Sequence, residues 1–125
     1  MRANKAPTIT AVVLAVVAVL GGVYWQLMCG PIAFEHSVWL RGEASPGSPR
    51  LRMADGLLRS EVLSGMSRSE VEALLGPPTV TDTFMGSGLG YWLGPERGFI
   101  RIDSEWLTLH FDRAGKVSEV RIVTD

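Results

Sequence analysis

A group of polar residues near the end of the chain has the types that could do chemistry. His110 lies two residues before Asp112, and Asp103, Ser104 and Glu105 follow one another in the segment IDSEW. A histidine with carboxylates can hold a metal or move a proton, and a serine beside a base can act as a nucleophile. No defined spacing joins Ser104 to a base, and these positions are more typical of a turn followed by a strand. We therefore predict no catalytic residue, no metal ligand and no enzyme; a hydrolase built on Ser104, His110 and Asp112 is the weakest alternative.

Other binding chemistries have little support in the composition. The glycine-rich segment Gly86–Gly90 is not followed by a helix, so it does not predict a phosphate-binding turn, and we expect no cofactor. The formal net charge is -1 and no basic stripe is present, which argues against nucleic acid as a partner. The single cysteine, Cys29, excludes an intrachain disulfide and a cysteine-cluster zinc site.

Two tryptophans provide a better functional lead. Trp92 alternates with Tyr91 and Leu93, and Trp106 precedes Leu107, so each indole should lie on the strand face opposite its apolar neighbours. Tryptophan and arginine are enriched at protein-binding hot spots. We predict a protein-binding surface that also includes polar residues of the following loop; its members are Trp92, Arg101, Trp106, Glu96 and Asp103. Packing of one or both tryptophans under the 94–104 loop is an equal alternative.

The segment GMSRSEVEALLGPP, residues 65–78, predicts one helix with both ends marked. Ser67 and Glu70 have the spacing of a capping box, and apolar residues at positions 71, 74 and 75 share one helical face. Gly76 suits a left-handed residue at the end of the helix, and Pro77 and Pro78 prevent its continuation.

The segments around this helix predict an α+β domain. A first short helix begins near Arg52 and ends at Gly65, and strands are expected over residues 79–84, 89–93, 105–111 and 116–124, with a hairpin turn at residues 112–115. In the last strand, Val120 and Ile122 should share one face, with Val117 and Val123 on the other. The predicted fold is two short helices packed on a three- to four-stranded antiparallel sheet, with the helices covering the face that carries Leu107, Leu109 and Phe111.

The amino-terminal region predicts a membrane anchor. Residues 9–29 are apolar and uncharged over about 20 residues, the length that crosses a bilayer, and Tyr24 and Trp25 stand where an aromatic belt is expected. Arg2 and Lys5 favour a cytoplasmic stub at residues 1–8 and an extracytoplasmic, periplasmic carboxyl-terminal domain. Membrane lipid is then a partner through residues 9–29. Cleavage as a signal peptide and lipidation of Cys29 remain alternatives, although Met28 is a bulky residue for a lipoprotein peptidase site.

Residues 30–52 are predicted to be a flexible connector, and residues 53–125 the folded domain. The stretch GEASPGSPR, residues 42–50, is rich in glycine, proline and serine. Before it, Phe34, Val38 and Trp39 could lie in the lipid headgroup region or dock on the domain, and the first of these is favoured.

The motifs GMSRSEVEALLGPP, YWLG and LTLHFDRAGKVSEVRI together resemble the SmpA/OmlA family, also called BamE-like, over residues 55–125. The resemblance implies a small non-enzymatic α+β domain of the bacterial envelope, in a family whose best-known member belongs to the machinery that inserts β-barrel proteins. The segment YWLGPERGFIRIDSEWL is more similar to members of unassigned function. We therefore expect a membrane-tethered protein-interaction module of the cell envelope, acting in outer-membrane protein assembly or envelope integrity, with an envelope protein as partner. The alternative is an inhibitor or immunity-like module whose acidic residues Glu96, Asp103 and Glu105 enter the cleft of a secreted enzyme.

Overall fold

The computed structural model describes residues 6–42, 48–82, 88–97, 100 and 102–125. Two compact units make up the chain, residues 1–30 and residues 31–125. The predicted residue Arg101, the basic residues Arg2 and Lys5, and Phe84 of the expected first strand lie outside the described residues.

The first unit contains the helix α1, Ile9–Cys29. Thr8 caps its start by accepting a hydrogen bond from the Ala11 N–H at 3.4 Å, and its apolar side chains are exposed in this unit, as for Leu14 at 64%. Its length and apolar composition over Ile9–Met28 are sufficient to cross a membrane, and a signal sequence near the amino terminus would have the same properties.

The second unit begins earlier than the predicted domain boundary. Helix α2, His36–Arg41, contributes the fully buried Trp39 to the core, and the Ile32 N–H donates to the Arg52 carbonyl at 3.1 Å. Residues 31–42 therefore pack on the domain, which was the less favoured of the two expectations for Phe34, Val38 and Trp39. Burial of a large aromatic side chain stabilises this docking, whereas a flexible connector would leave it in solvent.

Helix α3, Pro49–Ser60, also starts before its predicted position. Pro49 occupies the first helical turn, where its fixed φ and missing N–H are tolerated. The helix ends at Glu61, which has a φ of 54°, rather than at Gly65. The glycine- and proline-rich stretch that suggested a linker, residues 42–50, therefore contains the first residues of α3.

Helix α4, Arg68–Leu75, has local signals at both ends. The Ser67 hydroxyl accepts from the Glu70 N–H at 3.2 Å, and Gly76 follows the last turn with a φ of 78° and a ψ of -172°, a positive φ that suits glycine but not the left-handed helical conformation expected there. The spacing of Ser67, Glu70 and Gly76 in the sequence is sufficient to explain both boundaries.

The sheet has the order β1-β2-β3-β4 and is antiparallel throughout. Its strands are β1, Val80–Thr81, β2, Gly88–Pro95, β3, Ser104–Phe111, and β4, Val117–Thr124. Helices pack on one face, where Leu107 and Leu109 are fully buried and Phe111 is partly buried against the core, as predicted. The α+β fold expected from the sequence is confirmed.

One expectation for the last strand is wrong. Val117 was assigned to the face opposite Val120 and Ile122, but it is 3% exposed and belongs to the same core. The register shifts between His110 and Phe111, so that the strand contains a β-bulge. Because one extra residue changes which face each side chain occupies, the bulge turns Val117 inward.

Candidate protein-interaction surface

The sheet face opposite the helices, here called the outer sheet face, carries both predicted tryptophans. Trp92 on β2 lies directly opposite Trp106 on β3, and Trp106 lies opposite Val123 on β4. Both indoles are partly exposed, and the neighbouring residues Tyr91 and Leu107 are fully buried in the core. A row of three large side chains therefore crosses the strands on this face.

The row is bordered by a close contact between β1 and β2. A Cβ atom placed on Gly90 would lie 2.6 Å from a methyl carbon of Val80 and 3.9 Å from a ring carbon of Trp106. The Val80 side chain therefore occupies the space above Gly90, and only a glycine allows this approach. Val80 extends the apolar surface beside Trp106.

Hydrogen bonds hold the Trp106 indole in place. Its Nε1 donates to Oδ2 of Asp125 at 3.1 Å, and Oδ1 of the same carboxylate accepts from the Ser104 N–H at 2.8 Å. An indole held this way loses little further conformational freedom on binding, which favours its use as a contact residue.

The backbone of Trp92 is anchored on two sides. Its N–H donates to the Thr79 hydroxyl at 3.0 Å, and its carbonyl accepts from Nη1 of Arg50 at 3.3 Å. The Arg50 guanidinium also donates from Nε to the Trp39 carbonyl at 2.8 Å, and burial lowers its pKa. Arg50 thus joins α2 to the strand that carries Trp92.

The loop after β2 contributes the other predicted residues only in part. The Glu96 N–H donates to the Asp103 carbonyl at 2.8 Å, which closes the base of the loop, and the Asp103 side chain is exposed. Two apolar side chains of the same loop are also exposed, Ile100 at 66% and Ile102 at 82%. The described residues of this loop therefore present both acidic and apolar groups.

A buried carboxylate, which the sequence did not reveal as structural, anchors this loop. Glu105 is 6% exposed, and its oxygens accept from Nε and Nη2 of Arg97 at 3.0 and 2.8 Å and from the Arg97 N–H at 2.8 Å. Arg97 also donates from Nη1 to Asp55 of α3 at 2.6 Å. Its hydrogen bonds to Glu105 and then Asp55 raise the pKa of Arg97 above its ordinary value. Glu105 is therefore fully engaged within the domain, and it is not free to enter an enzyme cleft as the inhibitor hypothesis requires.

Three aromatic side chains cap the end of α4, a second feature that sequence reasoning missed. The last carbonyls of a helix lack partners within the helix. Nδ1 of His36 lies 2.8 Å from the Leu74 oxygen, Nε1 of Trp39 donates to the Leu75 oxygen at 3.0 Å, and the Tyr91 hydroxyl donates to the Gly76 oxygen at 2.9 Å. Burial is the main reason that the pKa of Tyr91 is raised. The signal for this cap in the sequence was the presence of aromatic residues that carry a polar atom at positions 36, 39 and 91.

The residues considered for catalysis do not assemble. Ser104 and His110 lie at opposite ends of β3, and at about 3.3 Å per residue they are roughly 20 Å apart. Asp112 is used in the hairpin, where its Oδ1 accepts from the N–H groups of Ala114 and Lys116 at 2.9 and 3.0 Å. Among the described residues, no group of three histidine, cysteine or acidic side chains is placed to hold a metal.

Comparison with protein families gives one match. A family model described as the outer membrane protein assembly factor BamE domain matches residues 58–121, half of the chain. The match covers the end of α3, α4 and the sheet as far as Arg121 in β4, and α2 with Trp39 precedes it. No curated protein and no solved structure matches the chain significantly.

Proposed function

The chain belongs to the BamE domain family, and on that premise we propose that it is a membrane-tethered, non-catalytic protein-interaction module of the bacterial cell envelope. Its proposed contact surface is the outer sheet face, and its proposed partner is an envelope protein that takes part in outer-membrane protein assembly. The observation that carries the proposal is the Trp92–Trp106 pair, two partly exposed indoles side by side on the sheet face opposite the helices of residues 31–125.

The chemistry of this face supports protein recognition. Tryptophan supplies a large apolar area at low conformational cost, and hot spots are enriched in it. Val80 and Val123 flank the pair, and the exposed Ile100 and Ile102 add apolar area on the loop whose base is closed by Glu96 and Asp103. Arg97, through its bonds to Glu105 and Asp55, holds the start of that loop against the domain.

Site-directed photo-crosslinking in living cells tests this function. A photoreactive amino acid at position 92 or 106 of the tagged full-length chain should capture an envelope protein that mass spectrometry identifies. Ala73, exposed on α4 in the opposite layer, provides the matched control position. Equal capture from position 73, or capture of no envelope protein from either tryptophan position, would contradict the proposal. Capture of a single secreted enzyme would instead favour the inhibitor alternative.

The membrane topology is part of the proposal. We place residues 1–8 in the cytoplasm, α1 across the inner membrane as an uncleaved anchor, and the domain in the periplasm, since Arg2 and Lys5 precede α1 and its composition suits a span. In a Cys29→Ser background, a cysteine introduced at the exposed Ser69 should react with a membrane-impermeant maleimide in intact spheroplasts. Protection of that cysteine until the membrane is lysed would reverse the orientation, and the intact mass of the native protein would reveal cleavage or lipidation at Cys29.

A further inference from the structure

Strand β4 lies at an edge of the sheet and presents part of its backbone outward. The Asp125 N–H donates to the Ser104 carbonyl at 3.2 Å, one step beyond the pair formed by Glu105 and Thr124. Hydrogen-bonded and non-hydrogen-bonded pairs alternate along an antiparallel ladder. The backbone N–H and C=O groups that point away from β3 are therefore those of Val120, Ile122 and Thr124.

The first part of this edge is already occupied. The Val117 N–H donates to the Met66 carbonyl at 2.8 Å, and the Val117 carbonyl accepts from the Gly65 N–H at 2.9 Å. Beyond the bulge, no segment within the described ranges bonds to the outward groups of residues 120, 122 and 124. Such a row of unpaired donors and acceptors is a template for another strand.

A groove of about 320 Å³ lies beside the edge, between the end of α3 and the first half of β4. Its lining is mixed: Leu57, Leu58, Leu63, Val117 and Val120 are apolar, whereas Glu61, Ser64, Ser118 and Glu119 are polar, and Leu58 is 36% exposed. A strand added next to β4 would direct every second side chain toward this groove and the others toward the outer sheet face.

The outer side of β4 carries charge rather than apolar groups. Glu119 and Arg121 alternate there with the inward Val120 and Ile122, and Nε of Arg121 donates to Oε1 of Glu119 at 2.7 Å. Both side chains are substantially exposed, at 44% and 63%. Residues placed opposite them on an added strand would be favoured if they carried the complementary charge.

We propose that the β4 edge binds an extended, amphipathic segment of another protein as a fifth strand of the sheet. The segment places apolar side chains toward the leucine and valine side chains that line part of the groove and polar ones on the outer face, with a cation opposite Glu119 and an anion opposite Arg121. Backbone bonds to Val120, Ile122 and Thr124 provide affinity, and the groove selects the alternating pattern. This site uses the edge backbone of β4 and borders the tryptophan row at Val123, but it does not depend on binding by Trp92 or Trp106.

A second copy of the chain is a poorer occupant. If two copies paired their β4 strands antiparallel about a two-fold axis, the outward backbone groups of residues 120, 122 and 124 would all form hydrogen bonds only when the axis passes through Ile122. That register places Glu119 opposite Asp125 of the other copy, twice, and like charges directly opposite are destabilising. The charges therefore favour a different chain with complementary residues.

Amide hydrogen exchange followed by NMR tests the proposal on the full-length protein in detergent micelles. The probe is a synthetic peptide in which valine alternates with lysine and glutamate, and a control peptide has the same composition with its valines in one block. The alternating peptide should slow exchange at the amides of residues 120, 122 and 124 and leave residues 119, 121 and 123 unchanged. Equal effects of the two peptides, or no added protection at these three amides, would overturn the proposal. Protection that rises with protein concentration alone would also overturn it, in favour of a second copy.

A pair of variants at one exposed position sharpens the test. Thr124→Pro removes the backbone N–H that points away from β3 and leaves the hydrogen bonds to β3 intact. Thr124→Ala removes the same side chain but retains that N–H. Loss of one hydrogen bond should weaken peptide binding roughly twofold to tenfold for the proline variant only. Leu58→Lys, which places a charge in the lining of the groove, should also weaken binding. Unchanged affinity in both Thr124→Pro and Leu58→Lys would refute the site, and alanine at Trp92 should leave peptide binding intact whatever the fate of the proposed function.

Discussion

Replacing Trp39 with alanine tests whether residues 31–42 belong to the folded domain. The indole is fully buried, its Nε1 donates to the Leu75 oxygen at 3.0 Å, and its ring lies 5.9 Å from Phe34 and 6.4 Å from Tyr91. The guanidinium carbon of Arg50 lies 5.1 Å from the ring centre. The contacts with Leu75, Tyr91 and Arg50 join α2 to other parts of the domain, whereas Phe34 belongs to the same segment as Trp39.

The expected loss of stability follows from these contacts. Truncation of a buried tryptophan to alanine costs about 3–5 kcal/mol, and leaving the Leu75 carbonyl without its donor adds about 1–3 kcal/mol. Because a domain of this size has a total stability of about 5–15 kcal/mol, the variant should lose a large part of it. Trp39→Phe keeps an aromatic ring and loses the donor, so it should cost about 1–3 kcal/mol.

Thermal unfolding of the full-length protein in micelles, followed by near-ultraviolet circular dichroism, measures both losses. At about 4–8 °C per kcal/mol for a domain of this size, the melting temperature should fall by at least about 16 °C for Trp39→Ala and by less for Trp39→Phe. Trp92→Ala is the matched control, since the Trp92 side chain is partly exposed and should contribute only a few degrees. A decrease for Trp39→Ala no larger than that for Trp92→Ala would refute the conclusion that α2 is part of the core.

Two further predictions concern polar groups inside the domain. Burial raises the pKa of Tyr91, so above about pH 10 the folded protein keeps the phenolic proton while the unfolded chain loses it. The free energy of unfolding should therefore fall above about pH 10, by up to about 1.4 kcal/mol per pH unit. Tyr91→Phe should lose about 1 kcal/mol at neutral pH and show less of this alkaline decrease, and identical pH profiles for the two proteins would contradict the argument. Glu105→Gln weakens the bonds to Arg97 and should cost about 1–3 kcal/mol in denaturant unfolding, toward the lower end because Arg97 is half-exposed. Asp55→Asn removes the charge of the more exposed partner of Arg97 and should lower the free energy of unfolding by less than Glu105→Gln does. An equal or greater loss for Asp55→Asn would show that Glu105 is not the main anchor of Arg97.

Local patterns accounted for much of the fold. The Ser67–Glu70 spacing and Gly76 correspond to a helix that begins and ends at those points, and the alternation in Leu107, Leu109 and Phe111 correctly indicated the buried face of β3. These signals depend on residues a few positions apart, so they can be read without knowledge of the tertiary structure.

The placement of the tryptophans was only partly available from the sequence. Alternation put Trp92 and Trp106 on one face, but their position directly opposite each other depends on strand register. Trp39 was harder to predict, because an aromatic residue in a segment between an apolar helix and a glycine- and proline-rich stretch has the same composition whether it lies in a membrane interface or in a core.

Local sequence patterns were enough to predict an apolar amino-terminal helix, a capped helix and an antiparallel sheet. The burial of Trp39, the pairing of Glu105 with Arg97 and the bulge that turns Val117 inward became visible only in the folded chain, as did the outer edge of β4, to which no described segment bonds beyond the bulge. The physical reason is distance along the chain. Caps and alternation arise between near neighbours, whereas Trp39 meets a carbonyl 36 residues away, and such contacts form only when the whole chain folds.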